Sequence, residues 1–197
     1  MSHHTAFTVE FIALVGLRLY WHWRAGTRRD AETIKAAIAR EASFKWIRIG
    51  LGIPGAAMLL LYLIAPATLG GFALPFSDNL RWAGAVLFAI ALLLLIWVHR
   101  SLNRNFNTVL VLRPDHELVT TGPYRWVRHP MYSAFLVLFS GMFLLSANLL
   151  FGVLSSVILS FLLMQRTPLE EAQLRERFGA AYDAYRARTG ALLPKLK

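Results

Sequence analysis

"MYSAFLVLFSGMFLLSANLLFGVLSSVILSFLLM", residues 131–164, runs for 34 positions without a formal charge. Arg128-His129-Pro130 precede it and Gln165-Arg166 follow it. Read as one helix rising 1.5 Å per residue, it would be about 51 Å long, whereas the hydrocarbon core of a bilayer is roughly 30 Å thick. One long helix would also deliver the basic tail to the face opposite the other basic clusters. Two shorter helices turning near Ser146-Ala147-Asn148 remove both conflicts, so the stretch predicts a membrane hairpin.

The rest of the chain repeats the pattern. Of 197 residues, 56% are hydrophobic and only 16% charged, against about 25% charged in an ordinary soluble domain. Residues 49–66 and 82–98 hold no charge, and they predict helices over about 46–66 and 81–99. A first helix is expected over about 6–23, where Glu10 and Arg18 interrupt the apolar run. With no basic start and no small-residue cleavage site, it reads as a retained helix rather than a signal peptide. The stretch RAGTRRDAETIKAAIARE, residues 24–41, sets Ile34, Ala37 and Ile38 at helical spacing and predicts a short interfacial helix. TLGGFALPFSDN, residues 68–79, reads as a turn region, and residues 100–129 as a long polar connection.

Net charge is +10, but its distribution speaks for topology rather than for a nucleic-acid surface. Seven of the 21 Lys and Arg lie in residues 24–48, five in 100–128 and seven in 166–197. All three clusters sit between or after apolar spans, as the positive-inside bias requires of cytoplasmic segments. The expected architecture is an all-α integral-membrane bundle of about five transmembrane helices, with the N-terminus outside and the C-terminus in the cytoplasm. Residues 1–197 form one domain in this reading, in an inner or cytoplasmic membrane. Cysteine is absent, which excludes disulfides and thiol nucleophiles. The histidines lack HExxH-type spacing, so no metal site is expected. Nothing points to nucleic acid or to an obligate protein partner.

Beyond the hairpin, Leu169, Leu174, Phe178, Tyr182 and Tyr185 recur at three- to five-residue spacings and predict an amphipathic cytoplasmic helix. Gly179 lies within it and lowers its propensity by about 1 kcal/mol against Ala. If the hairpin returns residue 166 beside residue 130, then Arg128, His129, Tyr132, Arg166, Glu170 and Glu171 converge at one membrane face. Arg166 and Glu170 are four apart and share a helix face. Charges at a lipid boundary are costly to desolvate and mark function. A mixed-sign cluster beside aromatic rings can hold a zwitterionic or cationic ligand.

These residues resemble the isoprenylcysteine carboxyl methyltransferase family and, more widely, the membrane methyltransferases that include phosphatidylethanolamine N-methyltransferases. The resemblance spans residues 105–194. It is carried by Asn105-Phe106-Asn107, the run His116 to Val119, Gly122-Pro123-Tyr124-Arg125 and Arg128-His129-Pro130-x-Tyr132. It continues through Arg166, Glu170-Glu171, Phe178-Gly179, Tyr182, Tyr185 and Pro194. Two positions depart from the family: Ala134 stands where Gly is common, and so does Asn103 or Arg104 before the Asn-Phe motif.

What the resemblance implies is a methyltransferase using S-adenosylmethionine, with the cofactor half over about residues 100–197. By family position, His116, Glu117, Leu118, Val119, Tyr124, His129, Pro130, Met131, Tyr132 and Glu170 line the cofactor pocket. Arg166 faces the methyl acceptor as catalytic and substrate-binding residue. The acceptor is expected to be lipophilic or lipid-linked and to enter from the membrane lipids. Carboxyl O-methylation of the isoprenylcysteine type leads, because a carboxylate needs no base at neutral pH and Arg166 can orient it. A phospholipid amine would need Glu170 or Glu171 as base, and a thiol acceptor also fits. The competing classes are a sterol-reductase-like enzyme using NADPH and a non-catalytic membrane subunit.

Overall fold

The computed structural model describes residues 1–26, 50, 52–103 and 117–195. The interfacial helix expected over 24–41 lies almost wholly outside them, as do the Asn105-Phe106-Asn107 motif and His116. Among the described residues the chain is helical, with isolated bridges and no named strand. Helix α1 spans His3–Gly26, α2 Gly52–Ile64, α3 Asp78–Leu102 and α4 Pro130–Ser146. Helix α5 covers Leu149–Phe161, α6 Thr167–Phe178 and α7 Ala180–Arg188.

The first three helices meet α5 in an aromatic cluster. The Phe7 ring of α1 lies 4.7 Å from Tyr62 of α2, 6.1 Å from Phe88 of α3 and 5.4 Å from Phe151 of α5. Phe7, Phe88 and Phe151 are buried. The closest helix pair is α3 with α4, and its sequence reason is a pair of glycines. A Cβ on Gly84 would lie 2.9 Å from the Gly141 carbonyl oxygen, and one on Gly141 would lie 2.6 Å from the Phe88 backbone nitrogen. Lacking side chains, the two backbones touch, as small residues permit between membrane helices.

The 34-residue run breaks where its one amide side chain stands. Asn148 caps α5 by accepting from the Leu150 amide at 3.1 Å, and its own amide donates to the Leu69 carbonyl at 3.0 Å. Ala147 takes a left-handed conformation (φ 50°) to end α4, and its carbonyl accepts from the Leu74 amide at 2.7 Å. Arg81, early in α3, donates to the Leu145 carbonyl at 3.2 Å. Segment 66–74 and the start of α3 thus fasten the break from outside.

Helix α5 does not end before α6. The chain passes through a π turn at Leu162–Arg166 into α6, making one helix of 30 residues from Leu149 to Phe178. Pro168, in the first turn of α6, has no N–H to give an i−4 carbonyl. Widening the preceding turn absorbs the mismatch, and the Thr167 hydroxyl reaches the Leu162 carbonyl at 3.1 Å.

Among the described residues, two helices, Asp78–Leu102 and Leu149–Phe178, are long and apolar enough to cross a membrane. A third span arises if Gly52–Ile64 and Pro66–Phe72, bent by 114°, count as one, and Pro130–Ser146 is a shorter apolar helix. The tail corrects the sequence reading. Instead of one amphipathic helix, α6 and α7 are separate, broken at Gly179 (φ 50°, ψ −125°), a conformation that favours glycine.

Candidate active site

The site is assembled where the N-terminus of α4 meets α6 and the end of α7. A short 3₁₀ turn, Gly122–Arg125, leads into it. Gly122 has φ 59°, and a side chain there would run into the Ser101 hydroxyl of α3. The turn therefore sits directly on the end of α3. Pro130 opens α4 at a position where its missing N–H costs nothing, which leaves His129 as the residue before the helix.

From that corner a charge network crosses to α6. The Arg128 Nε donates to Glu171 Oε1 at 2.9 Å, and the His129 Nε2 lies 3.1 Å from the same oxygen. On its other edge, His129 Nδ1 is 3.6 Å from Glu170 Oε2. The Tyr132 hydroxyl donates to Glu170 Oε1 at 2.7 Å, and Arg166 Nε donates to that oxygen at 2.9 Å. Arg186 of α7 stands 3.6 Å from Glu171 Oε2. His129 and Tyr132 stack with ring centres 5.6 Å apart, and both are buried. The helical spacing of residues 166, 170 and 171 and that of 129 and 132 put the two halves face to face.

Burial alone would lower the affinity of His129 for its proton; hydrogen bonds and charges from Glu170 and Glu171 outweigh that and raise its pKa. Burial, then the charges of Glu170 and Tyr185, pushes the Tyr124 phenol up.

A strap from beyond α7 completes the corner. The Arg128 and His129 amides donate to the Gly190 and Ala191 carbonyls at 2.8 and 3.0 Å, and the Gly190 amide returns to Trp126 at 3.2 Å. Arg128 Nη1 reaches the Thr189 carbonyl at 2.5 Å, and the Ser133 hydroxyl donates to the Leu192 carbonyl at 2.6 Å. Tyr185, buried on α7, donates to the Tyr124 carbonyl at 2.8 Å.

Of the residues expected from the sequence, His129, Tyr132, Arg166 and Glu170 come together in one network. Pro130 is buried at its edge, while Met131 packs on the apolar core. Tyr124 stands beside the network, its carbonyl accepting from Tyr185. Glu117 is exposed, and Leu118 and Val119 are half-buried on non-helical chain before the Gly122 turn. His116 lies outside the described residues. Arg128 and Glu171, left off the expected pocket, bond directly within the network. The strap was missed as well; its signal was Thr189-Gly190 directly after a helix ending in Arg188, with Pro194 close behind.

A carboxylate pair gripped by cations on one side and walled by aromatic rings is the donor set this corner offers. The order of its parts along the chain is where the similarity to known proteins lies. Residues 82–176 match the isoprenylcysteine carboxyl methyltransferase (ICMT) family. This stretch runs from α3 through α6 and includes every residue of the network but Arg186. Curated relatives agree with it. A protein-S-isoprenylcysteine O-methyltransferase of Schizosaccharomyces pombe is 39% identical over 80 residues, 41% of this chain and 34% of that protein. A probable one of Oryza sativa subsp. indica is 36% identical over 93 residues, 46% of this chain and 49% of that protein. That of Mus musculus is 34% identical over 95 residues, 47% of this chain and 34% of that protein. The matches thus cover between about a third and a half of these ICMT relatives (34% to 49%). Helix α1 lies outside the ICMT match.

Proposed function

We propose that this chain is a membrane methyltransferase that uses S-adenosylmethionine to esterify the carboxylate of a lipophilic, isoprenylcysteine-type acceptor. The observation that carries the reading is the bonded set Arg128, His129, Tyr132, Arg166, Glu170 and Glu171, within the segment that matches the family.

The residues present fit the methyl donor. Its ammonium and sulfonium groups need carboxylates and aromatic faces, and its carboxylate needs a cation. Glu170, Glu171, the His129 and Tyr132 rings and Arg128 supply these chemistries. Leu118 and Val119, with Tyr124, are the candidates for the adenine side. When bound, the cofactor supplies an electrophilic methyl group. That methyl would pass to a carboxylate oxygen with the electron pair left on sulfur, so the residues of the corner would have no proton to move and would need only to hold donor and acceptor in line.

The protein's task is then positional. Arg166 orients the acceptor carboxylate, Glu170 holds Arg166 and Tyr132 in register, and the apolar surroundings favour loss of charge between the reactants. Because the reaction consumes a cation and an anion together, exclusion of water assists it.

The reading includes a topology: five spans, N-terminus out, α4 and α5 as a membrane hairpin, and the charged part from Arg166 onward at the cytoplasmic surface. The exposed apolar residues Val86, Leu93, Val153 and Val157 support lipid contact on α3 and α5. A labelled-methyl assay with purified protein in lipid nanodiscs tests the function. Label should enter a base-labile ester on a prenylcysteine carboxylate. Transfer only to a phospholipid amine or a thiol, or binding of NADPH in place of S-adenosylmethionine, would refute it.

A further inference from the structure

The strap beyond α7 pairs with the start of α4 in a regular order that one residue interrupts. The Arg128 amide donates to the Gly190 carbonyl at 2.8 Å and the His129 amide to the Ala191 carbonyl at 3.0 Å. One step further, the pattern calls for the amide of residue 130 on the Leu192 carbonyl. Residue 130 is proline and has no N–H. The Leu192 carbonyl is bonded all the same, because the Ser133 hydroxyl donates to it at 2.6 Å.

Position 133 is placed for this. It lies three residues past Pro130 in α4, one turn on and on the same helix face. Its neighbours are committed elsewhere: Met131 packs on the apolar core, Tyr132 bonds Glu170, and Ala134 is buried. The Ser133 amide is engaged with the His129 carbonyl at 3.1 Å. Its hydroxyl also lies 3.4 Å from that carbonyl, but a hydroxyl has one proton to give, and the shorter contact takes it. Ser133 thus stands in for the donor that the proline removes.

What this bond steadies is the segment that carries half of the charge network. Arg128 and His129 reach Glu171 at 2.9 and 3.1 Å, and the Arg128 guanidinium also holds the Thr189 carbonyl of the strap. Without the Leu192 bond, the strap would be tied to this corner by the very residues it has to orient. We propose that Ser133 is a positioning residue: its hydroxyl locks the strap to α4 and so sets the Arg128 and His129 side chains against Glu170 and Glu171. It touches neither reactant in this role. The inference rests on the methyltransferase reading only where cofactor and acceptor serve as probes.

The test uses the full chain in lipid nanodiscs, with Ser133→Ala, Ser133→Thr and Gly190→Ala as variants. The ring nitrogen signals of His129 are read by NMR on histidine-labelled protein, S-adenosylmethionine affinity by calorimetry, and KM for a prenylcysteine carboxylate by label incorporation. Ser133→Ala should shift the His129 signals and weaken cofactor affinity about threefold to tenfold, the scale of one hydrogen bond, with acceptor KM unchanged. Ser133→Thr, which keeps the hydroxyl, should restore both. Gly190→Ala, whose Cβ would collide with the Leu193 carbonyl, should disturb the same signals from the strap side. Combined with Ser133→Ala it should add little, because both act through one strap. Wild-type signals and affinity in Ser133→Ala would overturn the assignment, as would a Ser133→Thr protein as impaired as Ser133→Ala. Full additivity of the two changes, or an acceptor KM that moves as far as cofactor affinity, would overturn it too. A wild type that binds no S-adenosylmethionine would sink the methyltransferase reading, and the His129 signals would still decide the role of Ser133.

Discussion

Replacing Gly84 by Ala probes the contact that holds the two halves of the molecule in register. The added Cβ would meet the Leu145 backbone nitrogen, the Leu144 Cβ at 2.8 Å and the Gly141 oxygen at 2.9 Å. Two of these atoms are backbone, so no side chain can swing aside. Normal contact lies near 3.5–4.0 Å, so α3 and α4 must part by roughly 0.5–1 Å, which forfeits about a quarter to a half of each dispersion contact. Phe88 and Leu145, both 0% exposed, pack at this crossing. At about 40–60 contacts per large buried side chain and about 0.1–0.2 kcal/mol each, uniform weakening would cost about 2–12 kcal/mol; only contacts that cross the seam are weakened, which puts the loss at the low end, about 2–4 kcal/mol. The helix preference of Ala over Gly offsets about 1 kcal/mol of it. Gly84→Ala should therefore destabilise the fold by about 1–3 kcal/mol, within the range of overpacked cores. Gly16 of α1 has nothing within 4 Å of its position, and Gly16→Ala should stabilise by about 0.5–1 kcal/mol. Reversible unfolding in mixed micelles, followed by tryptophan fluorescence and circular dichroism, measures both. A Gly84→Ala protein as stable as wild type, or gaining as Gly16→Ala does, would refute the close crossing.

Three further outcomes follow from the charge network. Glu170→Gln removes the anion shared by Tyr132 and Arg166; S-adenosylmethionine affinity should fall about tenfold to a hundredfold, as loss of charged hydrogen bonds implies, with helical content unchanged by circular dichroism. Arg166→Gln should depress kcat for a prenylcysteine carboxylate more than cofactor affinity, read by steady-state kinetics beside calorimetry; equal losses in both would move Arg166 into the cofactor site. For His129 the sign runs with the proton. Its folded pKa is raised above the ordinary value of about 6.5, so its stabilising charge is fully present below pH ~6.5 and lost as pH climbs through the folded pKa. The thermal stability of wild type over His129→Gln should shrink as pH rises from 6 upward, whereas a constant difference would show that the proton is not shared with Glu170 and Glu171.

How far these features can be read from the residues depends on the distance over which each is decided. The break of the apolar run is local: its length exceeds any bilayer, and Asn148 is the side chain that caps the helix after the turn. The meeting of Arg128, His129 and Tyr132 with Arg166, Glu170 and Glu171 follows from that break, because a turn midway returns both ends to one level. Gly179 was less legible. Propensity treats it as a small cost inside one helix, but tertiary packing of Tyr182 and Tyr185 requires α7 to leave the line of α6, and only glycine accepts the angle easily. The π turn was hidden for a similar reason, since Pro168 signals that a hydrogen bond is missing but not how the chain responds.

The strap over residues 189–192 carried the weakest signal, and its physics explains why. It acts through carbonyl groups that accept from Arg128, His129 and Ser133, and every residue type has a carbonyl. Only Gly190 is constrained, since a Cβ there would collide with the Leu193 carbonyl. The network's orientation therefore depends on both ends of the segment. The motif side chains bond across α4 and α6, while a nearly featureless strap pins the backbone that carries two of them. Side-chain geometry in such a corner is set by main-chain hydrogen bonds as much as by the charged groups, and a reading confined to charged and aromatic side chains finds the charges before it finds the frame.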